Sequence, residues 1–255
     1  MQTIIELKDL SKTYEGGIKA LKKVNLKIKK GEFLVLLGLS GSGKSTLLRC
    51  LNRLIEPTSG DILFHGKGIC NLSGVKLRQL RQRFGMIYQH FNLVHNMSVL
   101  INVISGNLGN MNLWQTLYPY GNQEIIQRAF NNLKKVGLIE YKHSKVKNLS
   151  GGQLQRVAIS RTLMQQPEII LADEPVASLD PATADSVMQY LGKLNKEDGI
   201  TIICSLHFLS LARKYGSRVI ALKDGELVFS GTPDEIDEKK FHDIYGEEAE
   251  EVEIK

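Results

Sequence analysis

Eight residues constrain this chain more than any others: Gly38-Leu39-Ser40-Gly41-Ser42-Gly43-Lys44-Ser45, set directly after the apolar run Phe33–Leu37. They fit the pattern GxxxxGK[ST], in which small residues let backbone N–H groups curl around a phosphate. The apolar run reads as a strand buried on both faces. Behind the turn, Leu47, Leu48, Leu51 and Leu54 recur at helical spacing. Strand, glycine turn and helix together aim the positive end of a helix dipole at the anion. Lys44 then reaches the β- and γ-phosphates, and the Ser45 hydroxyl holds Mg²⁺. Gly38, Ser40, Gly41, Ser42 and Gly43 form the cradle.

A strand followed by a helix is a unit of an α/β fold, and the unit recurs. Ile169–Ala172 and Thr201–Leu206 are further short buried strands, with a helical stretch, 182–194, between them. The fold class expected is therefore α/β with a mostly parallel sheet. Val24, Leu26 and Ile28 alternate with polar residues and read as a half-buried strand. VIALKDGELVFSG reads as a hairpin turning at Asp224–Gly225. From about His90 to Thr162 the pattern is helical, over 98–105, 123–136 and 153–163, with a loop over 106–122. The domain organisation expected is a nucleotide-binding core, 1–89 and 163–235, an inserted helical subdomain, 90–162, and an acidic C-terminal tail, 236–255.

Charge is unevenly placed. The net charge is +6, but residues 231–255 carry −7 and the remaining body +13. A basic body suits nucleic acid, a nucleotide or an anionic membrane surface, and equally an ordinary solvated face, so charge alone does not decide. Apolar runs are far shorter than the roughly 20 residues that cross a bilayer. Three cysteines without a CxxC pair argue against a disulfide scaffold and a cysteine-rich zinc site. With no basic patch and apolar stretch in MQTIIELKDL, a cytosolic chain is expected.

The strand Ile169–Ala172 runs into Asp173 and Glu174. Beside a phosphate loop, an Asp at a strand's carboxyl end binds Mg²⁺, and the next acid can polarise water. Read alone, the two acids are the start of a helix. Three further pieces are individually weak. Leu149-Ser150-Gly151-Gly152-Gln153 precedes a helix, so its N–H groups can meet a phosphate, or it is an N-cap with turn glycines. Gln89 ends MIYQ and can order a Mg²⁺-bound water, or is a surface residue. His207 ends TIICSL and is a functional or a structural histidine.

Taken together and in this order, the pieces resemble the ATP-binding subunit of ABC transporters, over nearly the whole chain. The resemblance names an aromatic A-loop (Tyr14), Walker A (38–46, through Thr46), Q-loop (Gln89), LSGGQ signature (149–153), Walker B (169–173) with Glu174, D-loop (177–180) and H-loop (His207). It implies a P-loop NTPase core of RecA type with an N-terminal antiparallel β region and an inserted α-helical subdomain. It implies ATP and Mg²⁺ as ligands, with Ser45, Gln89 and Asp173 at the metal. Tyr14 would stack on adenine, Glu174 act as general base, and His207 contact the γ-phosphate. Ser150, Gly151, Gly152 and Gln153 of one copy would face ATP held by a second copy in a sandwich homodimer, with Asp180 lining the interface. The implied partners are a polytopic permease and, through it, a solute-binding protein. The implied place is the cytoplasmic face of the membrane, with no direct nucleic acid contact.

A finer resemblance lies in QHFNLVHNMSVLINVISGNLGN, LWQTLY, LADEPVASLDP and NKEDGITIICSLHFLSLARKYGSRVIAL. These segments are similar to the ATPases of phosphonate importers. Importers of phosphite, a phosphate-like anion or a polar amino acid remain alternatives, as does a soluble ABC ATPase acting on nucleic acid or the ribosome. Departures from the family pattern are Leu39 for a common Pro, Leu154 for a polar residue, and the apolar Phe208-Leu209 after His207.

Overall fold

The computed structural model describes residues 2–111 and 122–246. The elements in chain order begin with β1 (Thr3–Thr13), β2 (Lys19–Lys29), β3 (Phe33–Leu37) and α1 (Lys44–Leu51). β4 (Ser59–Phe64), β5 (Lys67–Gly68), α2 (Gly74–Gln82) and β6 (Phe84–Ile87) follow. Next come α3 (Val99–Ile104), α4 (Gln123–Lys135), α5 (Gly151–Leu163) and β7 (Ile169–Asp173). The last are α6 (Pro181–Asp198), β8 (Thr201–Ser205), α7 (Leu209–Tyr215), β9 (Arg218–Lys223), β10 (Glu226–Gly231) and α8 (Glu238–Tyr245).

Two sheets result. One has the order β10-β9-β3-β8-β7-β6, in which every pair is parallel except the β9–β10 hairpin. The other is antiparallel, in the order β2-β1-β4-β5. Period-two alternation explains why β3, β7 and β8 read as continuous apolar runs. Phe33, Val35, Leu37, Ile170, Ala172, Ile202 and Cys204 pack into one core, with residues of α3 to α8. Leu34, Leu36, Ile169, Leu171 and Ile203 face a second core with α1 and the antiparallel sheet. A strand covered on both sides has no polar face to show.

The helices are set by their caps and apolar stripes. Asn122 accepts from the N–H groups of Glu124 and Ile125, and Ile125, Ala129 and Leu133 bury one face of α4. Ser150 and Gln153 form a reciprocal capping box at the start of α5. Asp180 caps α6, Pro181 opens it, and Gly199, in the left-handed region, closes it.

Several expectations need correction. Leu54 lies beyond α1 and is exposed, because the chain leaves the helix at Asn52. Gln89 does not end a strand: pairing with β7 stops at Ile87, and Gln89 sits in the following turn. The segment 236–255 does not begin as a free tail, because α8 buries Phe241 and Ile244 against the main core. Of the expected loop 106–122, residues 105–110 form a 3₁₀ helix. The rest, including the segment LWQTLY, falls mostly outside the described residues, as does 247–255. Strands β1, β4 and β5 and helix α2 went unread in the sequence. Only Leu80 of α2 is buried, so its pattern carries almost no helical signal.

Gly43 joins the phosphate loop to the antiparallel sheet. Its φ is 105°, and a Cβ there would lie 2.4 Å from the carbonyl oxygen of Ala20. Gly43→Ala is therefore expected to cost about 2 kcal/mol of stability. Urea unfolding checks this; an unchanged midpoint would contradict the close approach.

Candidate active site

β3 ends at Leu37 and the chain turns back through Gly38. The φ of Gly38 is 137°, and a Cβ there would lie 2.2 Å from the carbonyl oxygen of Leu222, so a side chain is excluded. Ser42 is buried, and its Oγ has no hydrogen-bond partner. A buried hydroxyl without a partner is costly, and a phosphate oxygen in the loop would satisfy it. Lys44 is 4% exposed. Its ammonium donates to the carbonyls of Gly38 (2.7 Å) and Leu39 (3.0 Å), so the lysine folds over its own loop. Burial pushes its pKa down, and the carboxylates of Glu174 and Asp173 act against that shift.

The parallel sheet brings β7 beside β3 with one strand, β8, between them. That spacing delivers the two acids to the loop. Ser45 Oγ donates to Asp173 Oδ1 at 2.7 Å. An aligned hydroxyl and carboxylate are hard oxygen donors, the set that Mg²⁺ takes while keeping several waters; the residues fit that ion. Glu174 turns out of the strand with φ 50°, a left-handed conformation that costs on the order of 1–3 kcal/mol in a non-glycine residue. Its N–H donates to Ser205 Oγ at 2.9 Å, which holds the turn. Glu174 Oε1 thereby sits 2.7 Å from His207 Nε2 and 4.0 Å from Lys44 Nζ.

Tyr14 is 37% exposed, and its hydroxyl is 3.2 Å from Thr46 Oγ1. An aromatic face is thus presented one residue beyond Ser45.

Not every expected residue joins this cluster. Gln89 is exposed, and among the described residues no hydrogen bond joins it to Ser45 or Asp173. Its loop is instead tied to α5: Arg161 donates to the carbonyls of Phe91 and Asn92. Ser150, Gly151, Gly152 and Gln153 open α5 next to the start of α6. A Cβ on Gly152 would lie 2.2 Å from Thr183 Cγ2, and one on Gly151 3.1 Å from Leu179 Cδ2. Asp180 accepts from Thr183 N at 3.0 Å, and the Thr183 side chain and N–H hold its carboxyl below the usual aspartate range. The signature and the D-loop therefore share one surface. No hydrogen bond or ion pair among the described residues connects that surface to the phosphate loop.

Two residues of the cluster went unread in the sequence. Arg49 Nη2 lies 3.4 Å from Asp173 Oδ2, and Ser205 Oγ 3.3 Å from Asp173 Oδ1. Ser205 had a signal, a polar residue ending a buried strand. Arg49 had none, because a helix surface carries many cations.

A phosphate loop closed by an Asp-Glu pair and a histidine, with a glycine-rich, capped helix start packed against the segment that follows the acids, defines an ATP-binding cassette. Residues 21–177 match the ABC transporter family, and the chain belongs to it. Within that family it is 54% identical over 253 residues to the phosphonates import ATP-binding protein PhnC of Bdellovibrio bacteriovorus. That match covers 98% of this chain and 97% of the relative. Among solved structures, cbiO1 from Clostridium perfringens, part of the ABC transporter complex cbiONQ, aligns with a TM-score of 0.83. It is 35% identical, with 94% of this chain and 93% of that one covered. The ATP-binding cassette MJ0796, solved as a dimer in a post-hydrolysis state with ADP and Pi, aligns with a TM-score of 0.78. It is 39% identical, with 90% and 99% covered.

Proposed function

We propose that this chain is the ATP-hydrolysing motor of an importer for phosphonates. It works as a homodimer on the cytoplasmic face of the membrane, bound to a polytopic permease that receives solute from a binding protein. The observation that carries hydrolysis is the convergence of Lys44, Asp173, Glu174 and His207 on the phosphate loop. The identity to phosphonate import ATP-binding proteins over nearly the full chain supports the solute. The core, 1–89 and 163–235, holds the nucleotide, and the helical subdomain, 90–162, carries the signature.

In this reading Gly38, Ser40, Gly41, Ser42, Gly43 and Thr46 surround the phosphates, and Lys44 neutralises the β- and γ-oxygens. Ser45 and Asp173 would hold Mg²⁺, whose charge when bound offsets that of the phosphates, and Gln89 would join them only after its turn moves toward the pair. Glu174 accepts the proton of the attacking water, and His207, hydrogen-bonded to it, faces the γ-phosphate. Ser150, Gly151, Gly152 and Gln153 cover the ATP of the second copy, beside Asp180. That no hydrogen bond or ion pair among the described residues ties the signature to the chain's own phosphate loop supports a site completed by two copies.

Tyr14 stacks on adenine. Tyr14→Ala is expected to weaken ATP binding roughly tenfold, consistent with ~1–3 kcal/mol of stacking. Tyr14→Phe should bind nearly normally, because the bond to Thr46 is exposed to water. Nucleotide titration by calorimetry distinguishes them, and equal losses would argue against stacking.

The solute is tested by uptake in a strain lacking the chain, with methylphosphonate, phosphite, phosphate and glutamate as test solutes. Loss of methylphosphonate uptake is expected. Loss confined to glutamate would overturn the assignment.

A further inference from the structure

The backbone that carries His207 is connecting chain. β8 ends at Ser205 and α7 begins at Leu209. The Leu206 N–H is tied to the central strand, donating to Leu36 O at 3.0 Å. The His207 carbonyl is reached from the other end of the molecule: the Tyr245 hydroxyl donates to it at 3.5 Å. Tyr245 is the last residue of α8, and α8 is firmly seated. Phe241 and Ile244 are buried, and the Phe241 and Tyr245 rings lie 4.8 Å apart. Arg213 donates to Ile236 O at 3.1 Å ahead of the helix, and Lys223 to Asp243 O at 2.6 Å within it. Phe208, the apolar departure after His207, packs against the same core as Phe241 and Tyr245. A seated C-terminal helix and a core-packed Phe thus bracket the histidine.

We propose that Tyr245 is a positioning residue for ATP turnover: α8 holds the His207 carbonyl and so sets the direction in which the imidazole meets Glu174. This rests on the proposed γ-phosphate role of His207. A shift of the His207 backbone would carry the imidazole away from its 2.7 Å contact with Glu174, and small misplacements in a reacting site are expensive in rate. The C-terminal segment thereby bears on hydrolysis rather than serving only as a charged end.

The test is Tyr245→Phe in the full chain, which keeps the ring against Phe241 and removes the hydroxyl. Because the bond is long, kcat is expected to fall about three- to tenfold. KM for ATP and Tm should match wild type. In a His207→Ala background the same change should cost nothing further, since two residues acting through one contact are not additive. An unchanged kcat in Tyr245→Phe overturns the proposal, and so does an equal loss in the His207→Ala background. If His207→Ala alone turns over ATP at the wild-type rate, the role of His207 itself falls, and the single variant reveals that separately.

Discussion

Glu174→Gln is expected to slow ATP turnover by about 10²–10⁴-fold, the usual worth of a positioned base. The substitution keeps the size of the side chain and its hydrogen bond to His207, and removes the proton acceptor. The backbone turn at Glu174 is held by Ser205, and Asp173 keeps its bond to Ser45, so the fold and the phosphate loop should survive. ATP binding should therefore persist. Unhydrolysed ATP, covered by Ser150 and Gly152 of the second copy, should then hold two chains together. The variant is expected to elute as a dimer with ATP and as a monomer with ADP in size-exclusion chromatography. Adding Ser150→Arg should abolish the dimer. It places a bulky cation at the cap of α5 and breaks the capping box with Gln153, a local loss of about 1 kcal/mol that leaves the chain folded. Normal turnover in Glu174→Gln would remove the catalytic role. An inactive variant that stays monomeric with ATP would retain the chemistry and overturn the sandwich.

Lys44→Ala is expected to lower turnover by a hundredfold or more, the scale seen when a fixed charge on a transition state is lost. The loss should appear in nucleotide affinity as well as in rate, because the ammonium meets phosphates in the ground state too. Lys44 also donates to the Gly38 and Leu39 carbonyls, so its removal takes the ammonium from both, while Leu39 O keeps the Ser42 N–H at 3.2 Å. A Tm close to wild type shows that the loop itself still forms. Turnover within about threefold of wild type, well under 1 kcal/mol of barrier, would end the assignment of this lysine to the phosphates.

Much of this site was legible because its pieces are local. The phosphate loop needs Gly38, Gly43, Lys44 and Ser45 within eight residues, and the flanking strand and helix announce themselves by burial and period. The acids at 173–174 and the cap at 150–153 are likewise short segments with one backbone requirement each. Among the elements missed, β5 and α2 bury little, so few apolar residues mark a period there.

The sequence by itself determined the parts list: a parallel α/β core, a phosphate loop, two carboxylates at a strand end, a glycine-rich helix start, and a family. Those follow from contacts within a few residues and from whether a strand is covered on one face or two. The tertiary structure alone decided which parts meet. Strand order β3-β8-β7 puts Asp173 on Ser45 and Glu174 between Lys44 and His207, although long stretches of chain separate the loop from the acids and the histidine. It also packed the signature glycines against the D-loop and the start of α6, and brought Tyr245 back to His207. Such contacts depend on strand order and helix packing over long stretches of chain, and no periodicity along a sequence encodes which distant segments become neighbours.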